Sequence, residues 1–243
     1  ADTTPAPVPE SLLFESPMAV AVARGHTWTA ESLLAGMLSQ LANEHPSFPT
    51  VYALMERTLH AVDWSRTPDI LHAAMLRDHQ LVMQVLLQAR VIDVAVCDKR
   101  TRATVVKAAL EASSLGCLAL ILDSMIRSLR MEAIPDLDTL TQAEYDRYTT
   151  VATARSGVGG SVFMHAWLAE TAAQLLLRLR ALHSLGDDAA ERLTSARDGK
   201  GESLLHWAAR LDCKWLAEIL LHPRVGMLPD VTASNGASAW TAA

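Results

Sequence analysis

The segment DGKGESLLHWAARLDCKWLAEILLHP, Asp198–Pro223, constrains the fold more than any other feature, because its pattern returns along the chain at constant internal offsets. It reads as a turn (Asp198, Gly201), a serine with a small-residue run (Ser203-Leu204-Leu205-His206-Trp207-Ala208-Ala209), a second turn, and a run closed by Leu220-Leu221. SPMAVAVARGHTWTAESLL (Ser16–Leu34) keeps the small residues, a Gly25-His26 turn and the closing Leu33-Leu34. ILHAAMLRDHQLVMQVLL (Ile70–Leu87) keeps His72, Ala73, Ala74, His79 and Leu86-Leu87, with Asp78 in place of the turn glycine. DKRTRATVVKAALEASSLGCLALIL (Asp98–Leu122) follows about 34 residues later, with Val106 at the histidine position. SGVGGSVFMHAWLAETAAQLLLRLRAL (Ser156–Leu182) reads as a fifth, weaker copy, Met164-His165 standing for Leu-His and Trp167 for alanine. SNGASAWTAA (Ser234–Ala243) restarts the turn and first run, with Gly236, Ser238 and Trp240 matching Gly201, Ser203 and Leu205. Each copy predicts two short antiparallel helices, neither of which hides its apolar stripe alone, so the copies must stack.

The Ser203–Ala209 run occupies the places of the T-P-L-H-x-A-A signature, and the chain thereby resembles the ankyrin-repeat family. The resemblance implies an all-α ankyrin-repeat solenoid of stacked helix-turn-helix units in a single domain over 1–243. Its repeats are expected at about 14–35, 67–97, 98–126, 156–193 and 198–230, with a partial one at 234–243. A chain stopping in mid-repeat is expected to continue. Two stretches break the period and are expected to be helical insertions. In 36–66, Pro46 and Pro49 divide a helix ending near Asn43 from another over Val51–Ala61. In 127–155, Thr141 and Glu144 have the Thr-x-x-Glu form of a capping box, which predicts a helix from Gln142 to Ala152.

Composition agrees and excludes partners. Half of the 243 residues are hydrophobic and the aromatic share is 5%, with Ala and Leu prominent, which favours helices. The formal net charge is −6 and no cluster of five or more Lys and Arg occurs, so nucleic acid is not an expected partner. Arg178 and Arg180 interrupt the longest apolar run before a membrane span is reached, so no membrane span is expected. Cys97, Cys117 and Cys213 lie outside any zinc or disulfide spacing and are expected to be free thiols in a reducing, intracellular compartment. ADTTPAPVPE at the start lacks an initiator Met, a basic n-region and an apolar h-region, so no intact signal is read there, and an upstream segment is expected either to have been removed or to lie outside this sequence. The free-thiol reading makes secretion unexpected.

Residue types then separate architecture from function. Ser203 and Ser16 are expected to cap first helices, and alanines such as Ala73, Ala74, Ala108, Ala109, Ala208 and Ala209 allow close helix approach. Asp78, Ala112 and Asp212 stand where an inter-helix glycine belongs. The resemblance implies that His206, His72 and His165 bond to neighbouring turns; no carboxylate or cysteine near them has metal or triad spacing. The Gly-rich run Arg155–Ser161 lacks the Lys-Ser/Thr pair of a P-loop and the G-x-G-x-x-G of a dinucleotide loop, and is read as a turn. Trp28, Trp207, Trp215 and Trp240 fall inside repeats, and most of the tryptophans are expected to be packing residues, with Trp207 partly open on the concave face that the resemblance implies. The resemblance also implies that the turns between repeats carry binding residues: Lys99, Arg100 and Arg102 in one, Arg197 and Lys200 in another, with Trp207 beside the second. Arg100, Arg102, Lys200 and Trp207 are expected to share one surface selecting an acidic partner. The implied function is non-catalytic protein binding, without cofactor, metal or small-molecule substrate, as a structural or accessory subunit of a larger assembly. The alternatives are a transient adaptor or effector, or the regulatory ankyrin segment of a larger enzyme.

Overall fold

The computed structural model describes residues 16–94, 104–133, 159–182 and 185–239, with side chains omitted at 130–133 and 159–166. The expected helix at 142–152, Cys97 and Trp240 lie outside these residues. The described residues are helical: α1 (Pro17–Ala23), α2 (Thr27–Glu44), α3 (Phe48–His60), a 3₁₀ turn (Trp64–Arg66), α4 (Ile70–Leu76), α5 (Gln80–Ala89), α6 (Val105–Glu111), α7 (Leu115–Ala133), α8 (Gly159–Ala181), α9 (Ala189–Ser195), α10 (Leu204–Arg210) and α11 (Lys214–Leu221). Extended pairing between described residues takes the form of isolated antiparallel bridges, Arg197 with Ser203 and Thr232 with Ser238.

Four short first helices, α1, α4, α6 and α10, each end in the same turn. In each, a left-handed residue follows the helix: Gly25 (φ 70°), Asp78 (φ 53°), Ser113 (φ 55°) and Asp212 (φ 52°). Its amide bonds back three residues, to Val22, Met75, Leu110 or Ala209; the next amide reaches five back, to Ala21, Ala74, Ala109 or Ala208. These paired bonds form a Schellman motif, which satisfies carbonyls that a helix end leaves open. They establish four equivalent helix-turn-helix repeats from the backbone alone. They also correct one position: in the third of these repeats the left-handed residue is Ser113, and Ala112 precedes it.

Contacts divide the chain into two compact units, Ala1–Ala108 and Ala109–Ala243, with the division inside α6. In the first, α2 packs against α4 and α5 of the following repeat, and α3 lies against both second helices, α2 and α5. Leu34, Leu38, Leu59, Met75, Met83 and Leu86 are fully enclosed here, each apolar side chain contributing about 1.5–3 kcal/mol. The seam is also polar. Glu31, wholly buried on α2, meets both the Arg77 guanidinium, 2.7 Å from Oε2, and the His79 ring in the next repeat's inter-helix turn. The first helix of the expected insertion is an extension of the repeat itself, since α2 runs 18 residues to Glu44.

In the second unit α7 packs against both α10 and α11, as α2 packs against α4 and α5. The 198–230 repeat therefore stacks directly on the repeat that contains α6 and α7. The described part of 156–193 corrects the sequence reading: α8 is one helix of 23 residues, with no inter-helix turn. It packs against the second helices α7 and α11, the relation α3 has to α2 and α5. His165 lies well inside this continuous helix, so it does not occupy the helix-start position of His206. Asp123 on α7 is the counterpart of Glu31. It is 4% exposed, pairs through Oδ2 with Arg127 at 2.6 Å, and faces the start of α11.

Candidate functional site

The best-defined surface feature is the turn leading into α10 together with the exposed side of that helix. Asp198 builds the turn. Its Oδ1 accepts from the amides of Lys200 (2.8 Å) and Glu202 (2.9 Å), while its backbone carbonyl accepts from Gly201 N at 2.9 Å. Gly201 has φ 74°, and a Cβ there would lie 3.0 Å from the Ser234 amide nitrogen, so glycine is required twice over. Ser234 N in turn donates to the Lys200 carbonyl at 3.2 Å, joining this turn to the next one at Ala233–Gly236.

His206 ties the same two turns together. It is buried, its Nδ1 accepting from Ser203 N at 3.2 Å and lying 2.7 Å from Ser203 Oγ. Its Nε2 lies 3.1 Å from the Ala237 carbonyl of the following turn. One tautomer, with the proton on Nε2, serves all three contacts: Nδ1 accepts from the serine amide and hydroxyl, and Nε2 donates to Ala237. His206 thus occupies the place of the usual Glu or Gln in a capping box, and its role is architectural. His72 is likewise buried, on α4.

Trp207, next on α10, is half-buried beside this frame. Its indole N–H donates to Asp198 Oδ2 at 2.9 Å, and the Arg210 guanidinium lies 4.8 Å over the ring. Arg210 is held by Glu202 at 2.6 Å. The ring is therefore fixed at one edge by a hydrogen bond and on one face by a cation, so little rotamer freedom remains to be lost on binding. Burial pushes the Asp198 carboxyl up, but the Trp207 indole, the Glu202 and Lys200 amides and the Lys200 charge together hold it below the usual carboxylate range.

The structure brings Lys200 and Trp207 together around Asp198, and Lys200 is exposed. Arg197 is exposed too, but its Nη1 donates to the carbonyls of Thr194 (2.8 Å) and Ala196 (2.7 Å), which folds its guanidinium onto its own backbone. Lys99, Arg100 and Arg102 lie outside the described residues. Asp198, Glu202 and Arg210, absent from the sequence-derived set, complete the clamp on Trp207. The i, i+3 spacing of Trp207 and Arg210 on one helix is the signal that would have found Arg210.

Cys117 and Cys213 are free and buried. Burial first, then the nearby Asp123 charge, push the Cys213 thiol up to about 12, so it remains protonated and unreactive at neutral pH. Among the described residues no group of three or more His, Cys, Asp or Glu is placed to hold a metal, and no helix is long and apolar enough to cross a membrane.

No family model and no curated protein matches the sequence. Among solved structures, the crystal structure of the ankyrin repeat domain of Bcl-3, a member of the IkappaB protein family, is similar at 14% identity, covering 94% of each chain with a TM-score of 0.21. The class of protein rests on the chain's own geometry: an all-helical protein of helix-turn-helix repeats with recurrent Schellman turns, whose 198–230 repeat is tied to the next turn by a buried histidine.

Proposed function

We propose that this chain is a non-catalytic, ankyrin-type protein-binding module that holds a partner on the turn-and-first-helix face of the 198–230 repeat. The observation that carries the reading is the clamped, half-open Trp207 beside the exposed Lys200. A rigid aromatic next to a cation is the usual make-up of an interface anchor, and the exposed Lys200 favours an acidic partner segment.

A stable subunit of an intracellular assembly is the preferred form of this role. Three of the four described Schellman turns hold Asp or Ser in the left-handed region, where a non-glycine residue costs about 1 kcal/mol. Permanent neighbours offset such losses; a free adaptor carries them alone.

The test is capture from native extract by the full chain and by the Lys200→Glu/Trp207→Ala double variant. At least about a tenfold loss of captured partner, with an unchanged circular dichroism spectrum, is expected; unchanged capture rejects the site. Stoichiometric retention through salt washes marks a subunit, and shedding marks an adaptor.

A further inference from the structure

The chain holds two asparagines, Asn43 and Asn235, and the second is followed by glycine. When the next residue's amide nitrogen attacks an asparagine side-chain carbon, a cyclic imide closes and ammonia is expelled. The reaction needs an unhindered following residue and a backbone outside regular structure. Asn43 offers neither, since it lies in α2 with Glu44 next to it. Asn235 and Gly236 are both exposed in the turn after α11, and among the described residues nothing stands within 4 Å of where a Gly236 Cβ would be.

The turn also supplies a donor where the reaction needs one. The Ala237 amide donates to Asn235 Oδ1 at 2.9 Å, and this oxygen gathers negative charge when Cγ is attacked, so the bond favours the tetrahedral intermediate. One restraint opposes it: the Gly236 N–H donates to the Ala233 carbonyl at 2.9 Å, a turn bond that must open before the nitrogen reaches Cγ. Asp198–Gly199 has the same glycine neighbour but is protected. Its carboxylate is bonded to the Lys200 and Glu202 amides and the Trp207 indole. Held below the usual carboxylate range, it offers little of the neutral acid from which an aspartate closes this imide.

We propose that Asn235–Gly236 is a deamidation site whose products tune the neighbouring docking face. The Gly236 nitrogen gives its proton to water and bonds to Cγ; the Cγ–Nδ2 bond then breaks, and the nitrogen leaves as ammonia with a proton taken from solvent. Water next opens the imide at either carbonyl, giving aspartate or isoaspartate, with no change of oxidation state. Asn235 holds in its turn the place of Lys200 in the turn before, as Gly236 matches Gly201, and the Ser234 amide bonds to the Lys200 carbonyl at 3.2 Å. Either product therefore sets a negative charge near Lys200 and weakens its attraction for an acidic segment. This tuning rests on the docking reading proposed above; the modification itself does not.

The experiment ages the full chain at neutral pH and maps its peptides by mass spectrometry, with isoaspartyl methyltransferase as an independent assay. Aspartate and isoaspartate are expected to accumulate at position 235 while Asn43 stays intact. Asn235→Gln, whose longer side chain closes its ring far more slowly, is expected to lose the isoaspartyl signal. Equal conversion at Asn43, or none at 235, overturns the proposal. A fluorescent poly-glutamate peptide reads the consequence: Asn235→Asp should bind it about two- to threefold more weakly, the size expected of one nearby screened charge. Equal binding by Asn235→Asp and the unaltered chain overturns the tuning. If instead the Lys200→Glu/Trp207→Ala variant binds the peptide as the unaltered chain does, the docking reading fails, and the modification is decided by the peptide maps alone.

Discussion

In the N-terminal unit the buried carboxylate of Glu31 has a partner for each oxygen, Arg77 and His79, both from the next repeat. In the C-terminal unit Asp123 occupies the corresponding seam, but among the described residues its ion pair is with Arg127 on its own helix, and Oδ1 is buried without a hydrogen-bond partner there. The same packing problem, an acid on a second helix facing the next inter-helix turn, has thus been solved by cross-repeat ion pairing in one case. In the other it is left half satisfied. Burial accordingly pushes the Asp123 carboxyl up, against Arg127 and the Leu216 amide, which pull the other way. Polar seams between repeats are thus a local arrangement rather than a property of the repeat.

The contrast is breakable by mutation. Arg77→Met leaves the fully enclosed Glu31 with the His79 ring but without its guanidinium, and should cost about 3 kcal/mol, read as lost amide-exchange protection in α2, α4 and α5. Arg127→Met should cost only about 1 kcal/mol, because Arg127 is more than half exposed and Asp123 can take up a proton instead. Equal losses would end the distinction between the seams. Gly201→Ala should lower stability by about 2 kcal/mol in urea unfolding, since it adds a left-handed penalty to contact with Ser234.

Acid titration sharpens the comparison within the second unit. Asp198, held low when folded, adds stability above the unfolded carboxylate range that disappears as pH falls through its folded value. Asp123, held high, does the reverse: the unfolded chain gives up its proton first, so stability declines as pH rises from the unfolded value to the folded one and then levels. Asp123→Asn should therefore stabilise the protein at neutral pH and remove that decline, whereas Asp198→Asn should destabilise it there. Melting temperatures across the acid range check both signs. The smallest effect is expected from Ser113→Gly, a gain of about 0.5 kcal/mol, because relief of the left-handed strain exceeds the added unfolded-state entropy only slightly.

Much of this was legible in the sequence because repeated turns leave local marks. Gly25, Asp78 and Asp212 fall where the pattern places them, and only Ser113 was displaced, by one position, where alanine and serines run together. The architectural role of His206 was readable through the ankyrin resemblance, which the Ser203–Ala209 run carries. The α8 segment misled because Met164-His165 and the later leucines imitate a repeat, yet between them no residue breaks helical phasing and LLLRLR continues the helix. The Glu31–Arg77–His79 cluster had no local signal: its members belong to different repeats, and nothing in the order of residues tells a buried glutamate from the usual exposed one.

The crosswise placement of α3 and α8 changes how such an array comes apart. Repeat proteins ordinarily lose their outermost elements one at a time, since each touches only its neighbours. A strut bridging two consecutive repeats must be released before either can peel away, so within each unit the bridged helices gain a shared threshold for opening.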